Sequence, residues 1–167
     1  MSQVLAARDE ALDQANRTTR LPVLLKISPD LTDQDKADIA AVALQTGVDG
    51  LIATNTTIDR PAHLTDSQKG QTGGLSGRPL YATSTRVLSE MYRLTAGKLP
   101  LIGVGGVASA ADAYAKIKAG ASLVQLYSAL VYQGPELPGK IVKELAGLLK
   151  ADGYGHISQA VGADHRL

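Results

Sequence analysis

The sequence predicts an α/β protein in which parallel strands alternate with helices. Four short apolar runs rich in Leu, Ile and Val are spread along the 167 residues, and stretches whose apolar residues recur with helical spacing lie between and after them. Gly, Pro, Ser or Asp residues mark the boundaries. Strands bounded by helices form a parallel sheet against which the helices pack. An open doubly wound sheet and part of an eight-stranded barrel both fit, since a complete barrel needs roughly 200 or more residues.

The chain begins with a predicted helix and a predicted strand. Residues 2–16 carry apolar positions with charges between them, as in an amphipathic helix. Pro22 opens the apolar run V-L-L-K-I, which predicts the first strand. Pro29 ends this region because proline cannot extend a strand ladder. Lys26 therefore lies near the end of the strand.

A second helix and a second strand follow. Thr32 or Asp33 is expected to cap the helix, and Gly47 to end it. The run G-L-I-A-T, which leads to Asn55, predicts the second strand. The spacing predicts one apolar helix face made by Ile39, Val42, Ala43 and Thr46.

The second half repeats the pattern after a long polar segment. Residues 56–77 show no period, and loops of this length are usually functional or mobile. A helix is predicted from Pro79 to Gly97, because proline suits the first helical turn. L-I-G-V-G and S-L-V-Q-L-Y predict the third and fourth strands. The remaining predictions are an apolar helical stripe at Val87, Leu88, Met91, Tyr92 and Leu94, further helices over 109–120 and 137–150, and a short one near 157–161.

The composition excludes several classes of protein. The chain has no cysteine, so disulfides, thiolate catalysis and cysteine-based metal sites are excluded. The three histidines, His63, His156 and His165, are far apart in sequence, and no metal site is predicted. A net charge of +1 without a basic tract argues against nucleic-acid binding. No run approaches the ~20 apolar residues of a membrane span, and no signal peptide is expected.

Glycine and hydroxyl residues follow the third and fourth strands. G-V-G-G at 103–106 precedes a helix, and Q-L-Y-S at 125–128 precedes another helical turn. Glycines allow close approach of a ligand, and helix N-termini offer free N–H groups to an anion. In barrels, the loops after the last two strands commonly bind phosphate. The pair predicts a phosphate site, whereas G-V-G-G alone could be an ordinary tight turn. No G-x-G-x-x-G dinucleotide motif is present.

The first two strands end in polar residues of a different kind. Lys26 at a strand end is suited to hold a negative charge on a ligand; the alternative is a buried ion pair with an acid. The amide of Asn55, between Thr54 and Thr56, offers a donor and an acceptor to an imide or pyrimidine ring, or else caps a turn. T-G-G-L-S-G at 72–77 is interpreted as a hinge more readily than as a ligand clamp.

The remaining polar residues are interpreted as structural. Asp49, Asp112 and the acids within 33–38 are expected on solvated helix faces. His63 is expected on the surface of the polar loop, and His165 could anchor the C-terminal tail.

Taken together, these motifs resemble the C-terminal half of the class 2 dihydroorotate dehydrogenases. The resemblance covers nearly the whole chain from Pro22 onward, in the family's order. It implies that residues 1–167 form one partial domain, half of a TIM (β/α)8 barrel with four βα units. It also implies FMN-dependent oxidation of dihydroorotate to orotate in pyrimidine synthesis, with a quinone as acceptor. The segments that carry it are L-L-K-I-S-P-D-L-T, D-G-L-I-A-T-N-T-T, T-G-G-L-S-G-R-P-L, P-L-I-G-V-G-G-V, A-G-A-S-L-V-Q-L-Y-S-A-L and G-A-D-H-R.

The resemblance assigns roles to eight residues. Asn55 and Thr56 are implied to contact orotate. Ser128 stands where many family members have Thr, and it keeps the hydroxyl. No residue matches the family's serine base, so no catalytic residue is assigned. The implied FMN contacts are Lys26, Thr54, Gly77, Gly106, Tyr127 and Ser128.

The family's other half, which holds the base, the asparagines that clamp orotate and the helices that meet membrane and quinone, is expected to come from elsewhere. Four strands of an eight-stranded barrel leave two open edges. The expected partner is therefore the N-terminal half of the same enzyme or a second copy. A peripheral position on the bacterial or mitochondrial inner membrane is implied for the full enzyme, and a soluble, inactive state for the chain alone. The alternatives are a flavin-free isomerase or synthase for phosphate ligands, and a purely structural half-barrel.

Overall fold

Four parallel strands form one sheet in the computed structural model, which describes residues 1–62 and 64–166. Their order in the sheet is their order in the chain. A doubly wound sheet reverses its strand order at a switch point. Since no such reversal occurs among these four strands, the arrangement matches part of a barrel rather than an open doubly wound sheet. The strands are β1 Leu24–Ile27, β2 Gly50–Ala53, β3 Leu101–Val104 and β4 Leu123–Gln125.

Helices lie between and after the strands, as the sequence predicts, with ends that differ by a few residues. Two short 3₁₀ turns are also present. Arg78–Leu80 directly precedes α3, and Ala163–His165 is the last element of the described chain. The prediction for His63 falls outside the described residues. The helices are α1 Ser2–Gln14, α2 Asp33–Thr46, α3 Tyr81–Leu94, α4 Ala110–Lys118, α5 Ser128–Gln133, α6 Leu137–Ala151 and α7 Ile157–Ala160.

Within the described residues, helices pack against one face of the sheet, whereas the other face carries the exposed residues Lys26 and Leu123. The register aligns Ile27, Ala53, Gly103 and Val124 in one row. This row packs against α3, α4 and α6. The neighbouring row, on the opposite face, consists of Lys26, Ile52, Ile102 and Leu123. Right-handed crossovers between sequential strands place α2, α3 and α4 on the same side of the sheet, as in a barrel wall.

Helix α2 confirms the predicted ends but not the predicted face. The Thr32 hydroxyl accepts a hydrogen bond from the Asp35 N–H, and Gly47 ends the helix with φ of 67°. Val42 is 46% exposed, whereas the buried positions include Lys36 and Ala43. Helical spacing gives the width of an apolar face but not its direction, and here an ion-paired lysine takes a place expected for an apolar residue.

Helix α3 forms the centre of the core. Val87, Leu88 and Met91 are almost completely buried against the sheet, as predicted. Leu94, expected in the same stripe, is exposed. The stripe therefore ends one turn before the end of the helix.

The C-terminal tail is held by His165, as expected from the sequence. Its ring stacks on Tyr92 with centroids 5.0 Å apart, and its Nε2 lies 3.1 Å from the Ala119 carbonyl oxygen. These contacts join the tail to α3 and to the end of α4.

Within residues 1–62 and 64–166, no helix has both the length and the apolar character needed to cross a bilayer.

Candidate functional site

A cavity of about 400 Å³ lies at the carboxyl ends of the four strands. Parallel βα proteins bind ligands at this end of the sheet, and the volume suits a small organic ligand. The eight residues predicted from the sequence all line it: Lys26, Thr54, Asn55, Thr56, Gly77, Gly106, Tyr127 and Ser128.

The end of β1 contributes a free cation. Lys26 is exposed to the cavity. Among the described residues, no carboxylate lies within salt-bridge distance of its amine. The alternative of a buried ion pair for Lys26 is therefore wrong, and the ammonium group is available to a ligand.

The end of β2 is tied to both neighbouring strands. The Thr54 N–H donates to the Val104 carbonyl at 3.2 Å, and the Asn55 N–H donates to the Ile27 carbonyl at 2.7 Å. The peptide bond between Ala53 and Thr54 is cis. The Asn55 side-chain oxygen accepts from the Thr56 N–H at 3.0 Å, so part of the amide does cap the local turn. Its NH₂ group remains as a donor toward the cavity.

The long polar loop is organised around a single guanidinium group. Arg60 donates to the carbonyl oxygens of Lys69, Gln71 and Gly73 at 2.8, 3.1 and 2.7 Å. Thr57 and Leu75 exchange two backbone hydrogen bonds. These contacts bring the segment T-G-G-L-S-G to the rim of the cavity.

The turn after β3 requires glycine at two consecutive positions. Gly105 and Gly106 have φ of 112° and 71°, which favour glycine. A Cβ on Gly106 would lie 2.5 Å from the Tyr81 Cβ and 2.9 Å from the Gly77 carbonyl oxygen. The N–H groups of Gly77 and Gly106 make no hydrogen bond within the described part of the chain. The turn thus offers the free Gly106 N–H at a place where no side chain fits, and the glycine-rich loop adds the free Gly77 N–H.

The end of β4 adds hydroxyl groups. Tyr127 is exposed to the cavity, and Ser128 begins α5. The Ser128 Oγ lies 3.0 Å from the Ser76 Oγ, so the fourth strand end and the glycine-rich loop meet here. The ends of β3 and β4 and the glycine-rich loop together contribute N–H and O–H donors to the lining of the cavity.

Sequence reasoning missed an ion pair at the rim. The Arg78 Nη1 lies 2.6 Å from the Asp112 Oδ1, and the Ala108 N–H donates to the other carboxylate oxygen at 3.1 Å. Burial pushes the pKa of Asp112 upward, but Arg78, the Ser109 hydroxyl and the Ala108 N–H together hold this pKa below its usual range. Asp112, 8% exposed, is therefore not on a solvated face. Its place three residues after the cap Ser109 indicates a capping contact, but no local signal indicates the ion pair with Arg78.

Asp49 is a second acid whose predicted exposure is wrong. Its carboxylate accepts from the Val23 N–H at 2.7 Å and pairs with Arg8 and Arg20. It joins α1 to the start of β1, far from the cavity. Asp33, in contrast, is exposed as expected, although it pairs with Lys36.

The fold and the cavity define a class, the βα-barrel proteins that bind a ligand at the carboxyl ends of their strands. Within this class, the family model described as dihydroorotate dehydrogenase matches residues 2–149. The chain belongs to this family, and the resemblance noted in its sequence is confirmed. The family's fold is a TIM barrel, and family membership implies a flavin cofactor.

Individual relatives agree. Dihydroorotate dehydrogenase (quinone) of Rhodospirillum rubrum is 57% identical over 99% of this chain and 45% of its own length. The mitochondrial dihydroorotate dehydrogenase (quinone) of Mus musculus is 52% identical over 99% of this chain and 41% of its own. The crystal structure of the Eimeria tenella enzyme in complex with ferulenol superposes with a TM-score of 0.87 at 47% identity, over 91% of this chain and 40% of that one. The chain thus spans less than half the length of these relatives.

Proposed function

We propose that this chain forms the FMN-binding half of a dihydroorotate dehydrogenase barrel that oxidises dihydroorotate to orotate and uses a quinone as acceptor. The observation that carries the proposal is the convergence on one cavity of seven residues from the four strand ends and of Gly77 from the glycine-rich loop. In this proposal residues 1–167 are one partial domain, and the remaining strands come from the N-terminal half of the enzyme or from a second copy.

The residues at the ends of β3 and β4 fit a phosphate group. Unbonded N–H groups at Gly77 and Gly106 point to an acceptor that the described chain does not supply. Ser128 adds a hydroxyl, and Tyr127 adds a backbone donor and a ring surface. A phosphate monoester offers three strong acceptor oxygens, which matches a set made mainly of donors.

The residues at the ends of β1 and β2 fit a polar ring system. Lys26 would hold negative charge on the pyrimidine edge of the flavin, and Thr54 would lie against the ring. Asn55 and Thr56 would donate to and accept from the substrate's imide and carboxylate groups. When bound, FMN supplies two-electron redox chemistry that amino-acid side chains do not offer.

The cavity lacks a base for the substrate proton. No described residue of its lining is Asp, Glu or His, and no residue of the chain matches the serine that the resemblance implies as the base. General-base catalysis requires such a group within hydrogen-bond reach. We therefore place the base, together with the quinone site and the membrane-contacting segment, in the part of the enzyme outside this chain, and we expect no turnover from the chain alone.

The proposal is tested by replacing Lys26 in the assembled enzyme. Lys26→Ala should retain the visible absorbance of bound flavin but slow flavin reduction by dihydroorotate by roughly 10²-fold or more, a size typical for loss of a charge-stabilising group. Lys98→Ala is the matched control, because Lys98 is exposed just before β3, at the other end of the sheet. Absence of flavin from the wild-type enzyme, or equal reduction rates in Lys26→Ala and wild type, would overturn the proposal.

A further inference from the structure

Lys116 is a completely buried lysine directly behind the glycine turn. It lies on α4 and is 0% exposed. Its aliphatic stem fills the space beside Gly103, where an added Cβ would lie 3.1 Å from the Lys116 Cδ. Its amine reaches the Ser84 Oγ at 2.9 Å and the Thr85 Oγ1 at 3.0 Å. It therefore joins α4 to the start of α3 underneath the cavity.

The direction of these hydrogen bonds follows from chemistry. An ammonium group only donates, so both hydroxyls accept from Lys116. The Thr85 hydroxyl then donates to the Tyr81 carbonyl at 2.7 Å. The Ser84 Oγ lies 3.1 Å from the Tyr81 carbonyl and 3.2 Å from the Gly105 carbonyl. The two lone pairs of the Tyr81 carbonyl are already used by the Thr85 hydroxyl and, in the first turn of α3, by the Thr85 N–H, so we assign the Ser84 hydrogen to the Gly105 carbonyl. The result is a directed chain from Lys116 through Ser84 to Gly105.

This chain fixes the orientation of one peptide group. In a trans peptide the C=O of one residue and the N–H of the next point in opposite directions. Since the Gly105 carbonyl points back to Ser84, the Gly106 N–H points away from Ser84, toward the side on which Gly106 lines the cavity. It is one of the two glycine N–H groups that remain unbonded.

The charge of Lys116 has no partner in the described residues. No carboxylate lies within salt-bridge distance of its amine. The other buried lysine, Lys36, is paired with Glu90 at 2.6 Å and with Asp33 at 2.7 Å. A buried charge is costly unless it is compensated. An anion on the cavity side of the glycine turn would provide that compensation.

We propose that Lys116 is a positioning residue for the phosphate of the bound ligand, acting through Ser84 on the Gly105–Gly106 peptide and adding positive charge behind it. This inference rests on the proposed function, since FMN is the phosphate ligand. It adds a role for a residue that does not touch the cavity.

Several aromatic and charged groups lie near the Lys116 amine and have to be considered when a pH effect is assigned to it. The Tyr81 ring lies 5.2 Å away, and Arg78 lies over the same ring at 4.7 Å. Asp112, on the same helix, pairs with Arg78. Burial lowers the pKa of Lys116 to about 8, although Asp112 acts in the opposite direction. At pH 7 the amine is mainly charged, and a phosphate monoester is largely dianionic because its second pKa is about 6.

The test compares FMN with riboflavin, which has the same ring but no phosphate, in the assembled enzyme stripped of flavin. Quenching of flavin fluorescence gives both dissociation constants. Lys116→Met keeps the stem and removes the charge. The dissociation constant for FMN should therefore rise roughly 10-fold or more, while that for riboflavin is unchanged. Ser84→Ala breaks the hydrogen-bond chain and should change the ratio of the two dissociation constants in the same direction. This second variant tests the proposal even if Lys116→Met does not fold. Lys36→Met is the control and should leave the ratio unchanged.

A pH series separates positioning of the phosphate from general support of the fold. Between pH 7 and about pH 9.5 the preference for FMN over riboflavin should decline in the wild type and stay flat in Lys116→Met, because only the wild type loses a charge. An unchanged FMN-to-riboflavin ratio in both Lys116→Met and Ser84→Ala, with FMN still bound, overturns this inference alone. A wild-type enzyme that binds neither flavin overturns the proposed function as well.

Discussion

Arg78 and Asp112 form an ion pair of 2.6 Å that joins the turn before α3 to the first turn of α4 at the rim of the cavity. The two residues are 34 positions apart in sequence. Through the Ala108 N–H, the same carboxylate also holds the loop that follows the glycine turn. The pair therefore fixes two walls of the phosphate end of the cavity relative to each other.

Asp112→Asn should destabilise the protein and weaken flavin retention. The amide cannot hold Arg78 and the Ala108 N–H equally well, and loss of a charged hydrogen bond at a buried site costs about 1–3 kcal/mol. Urea unfolding measures the cost, and the flavin content of the purified enzyme reports retention. Asp13→Asn, on an exposed residue of α1, is the control and should change neither value appreciably.

The Asp112 pair also has a defined acid dependence. Because the pKa of Asp112 is lowered in the folded state, its stabilising effect is present above the unfolded value of 3.8 and is lost as the pH falls through the lower folded value. Acid unfolding followed by circular dichroism should therefore be shallower in Asp112→Asn than in the wild type below about pH 4. Parallel acid-unfolding curves would contradict this role.

Lys116 should make stability increase at alkaline pH. Its pKa is about 8 in the folded state and 10.5 when unfolded. Between these values the unfolded chain binds more protons, so the free energy of unfolding rises with pH. The rise should reach about 1–3 kcal/mol in the flavin-free protein and be absent from Lys116→Met, since 1 pKa unit corresponds to 1.36 kcal/mol. Urea unfolding at a series of pH values measures the difference between the two proteins, and equal slopes would argue against it.

Gly106→Ala should be severely destabilising. The positive φ disfavours alanine, and the added Cβ would lie 2.5 Å from the Tyr81 Cβ. We expect a loss of at least about 2 kcal/mol together with loss of bound flavin. Gly147→Ala is the opposite control: Gly147 lies within α6 with nothing within 4 Å of an added Cβ, so alanine should raise stability by about 0.5–1 kcal/mol. Thermal unfolding distinguishes the two.

Leu123 should report whether the helix-free face of the sheet is covered in the assembled enzyme. It is 63% exposed in this chain and shares a row with Lys26, Ile52 and Ile102. Leu123→Ser should change the stability of the isolated chain by less than about 0.5 kcal/mol, but that of the assembled enzyme by about 1–3 kcal/mol. Val142→Ser, on an exposed position of α6, should be nearly neutral in both. Equal effects of Leu123→Ser in the two contexts would contradict coverage of this face.

The features that could be predicted from the sequence are those set by residues close together in the chain. The four strands, the cap at Thr32 and the end of α2 at Gly47 follow from local rules, and the structure agrees. The convergence of strand ends on one cavity also follows from parallel topology once the strands are known. The individual roles of Lys26 and Ser128 came from the resemblance to a family and remain predictions.

The burial of charged side chains could not be predicted from the sequence, because it depends on partners that are distant in the chain. Lys36 is buried because Glu90, on another helix, meets its amine, and Val42 consequently faces solvent. Asp112 is inside because Arg78 reaches it from a turn 34 residues earlier. The Lys116 amine contacts the Ser84 and Thr85 hydroxyls of α3. No local sequence pattern connects these two residues to Lys116. Helical spacing gives no information about which partner a charge will find.

The sequential strand order has a consequence for synthesis on the ribosome. Each new strand pairs with the one made just before it, so the growing sheet never needs a strand that has not yet been translated. Pairing of each strand with its predecessor keeps the sequence separation between paired strands as short as a parallel sheet allows, and shorter separations favour faster folding.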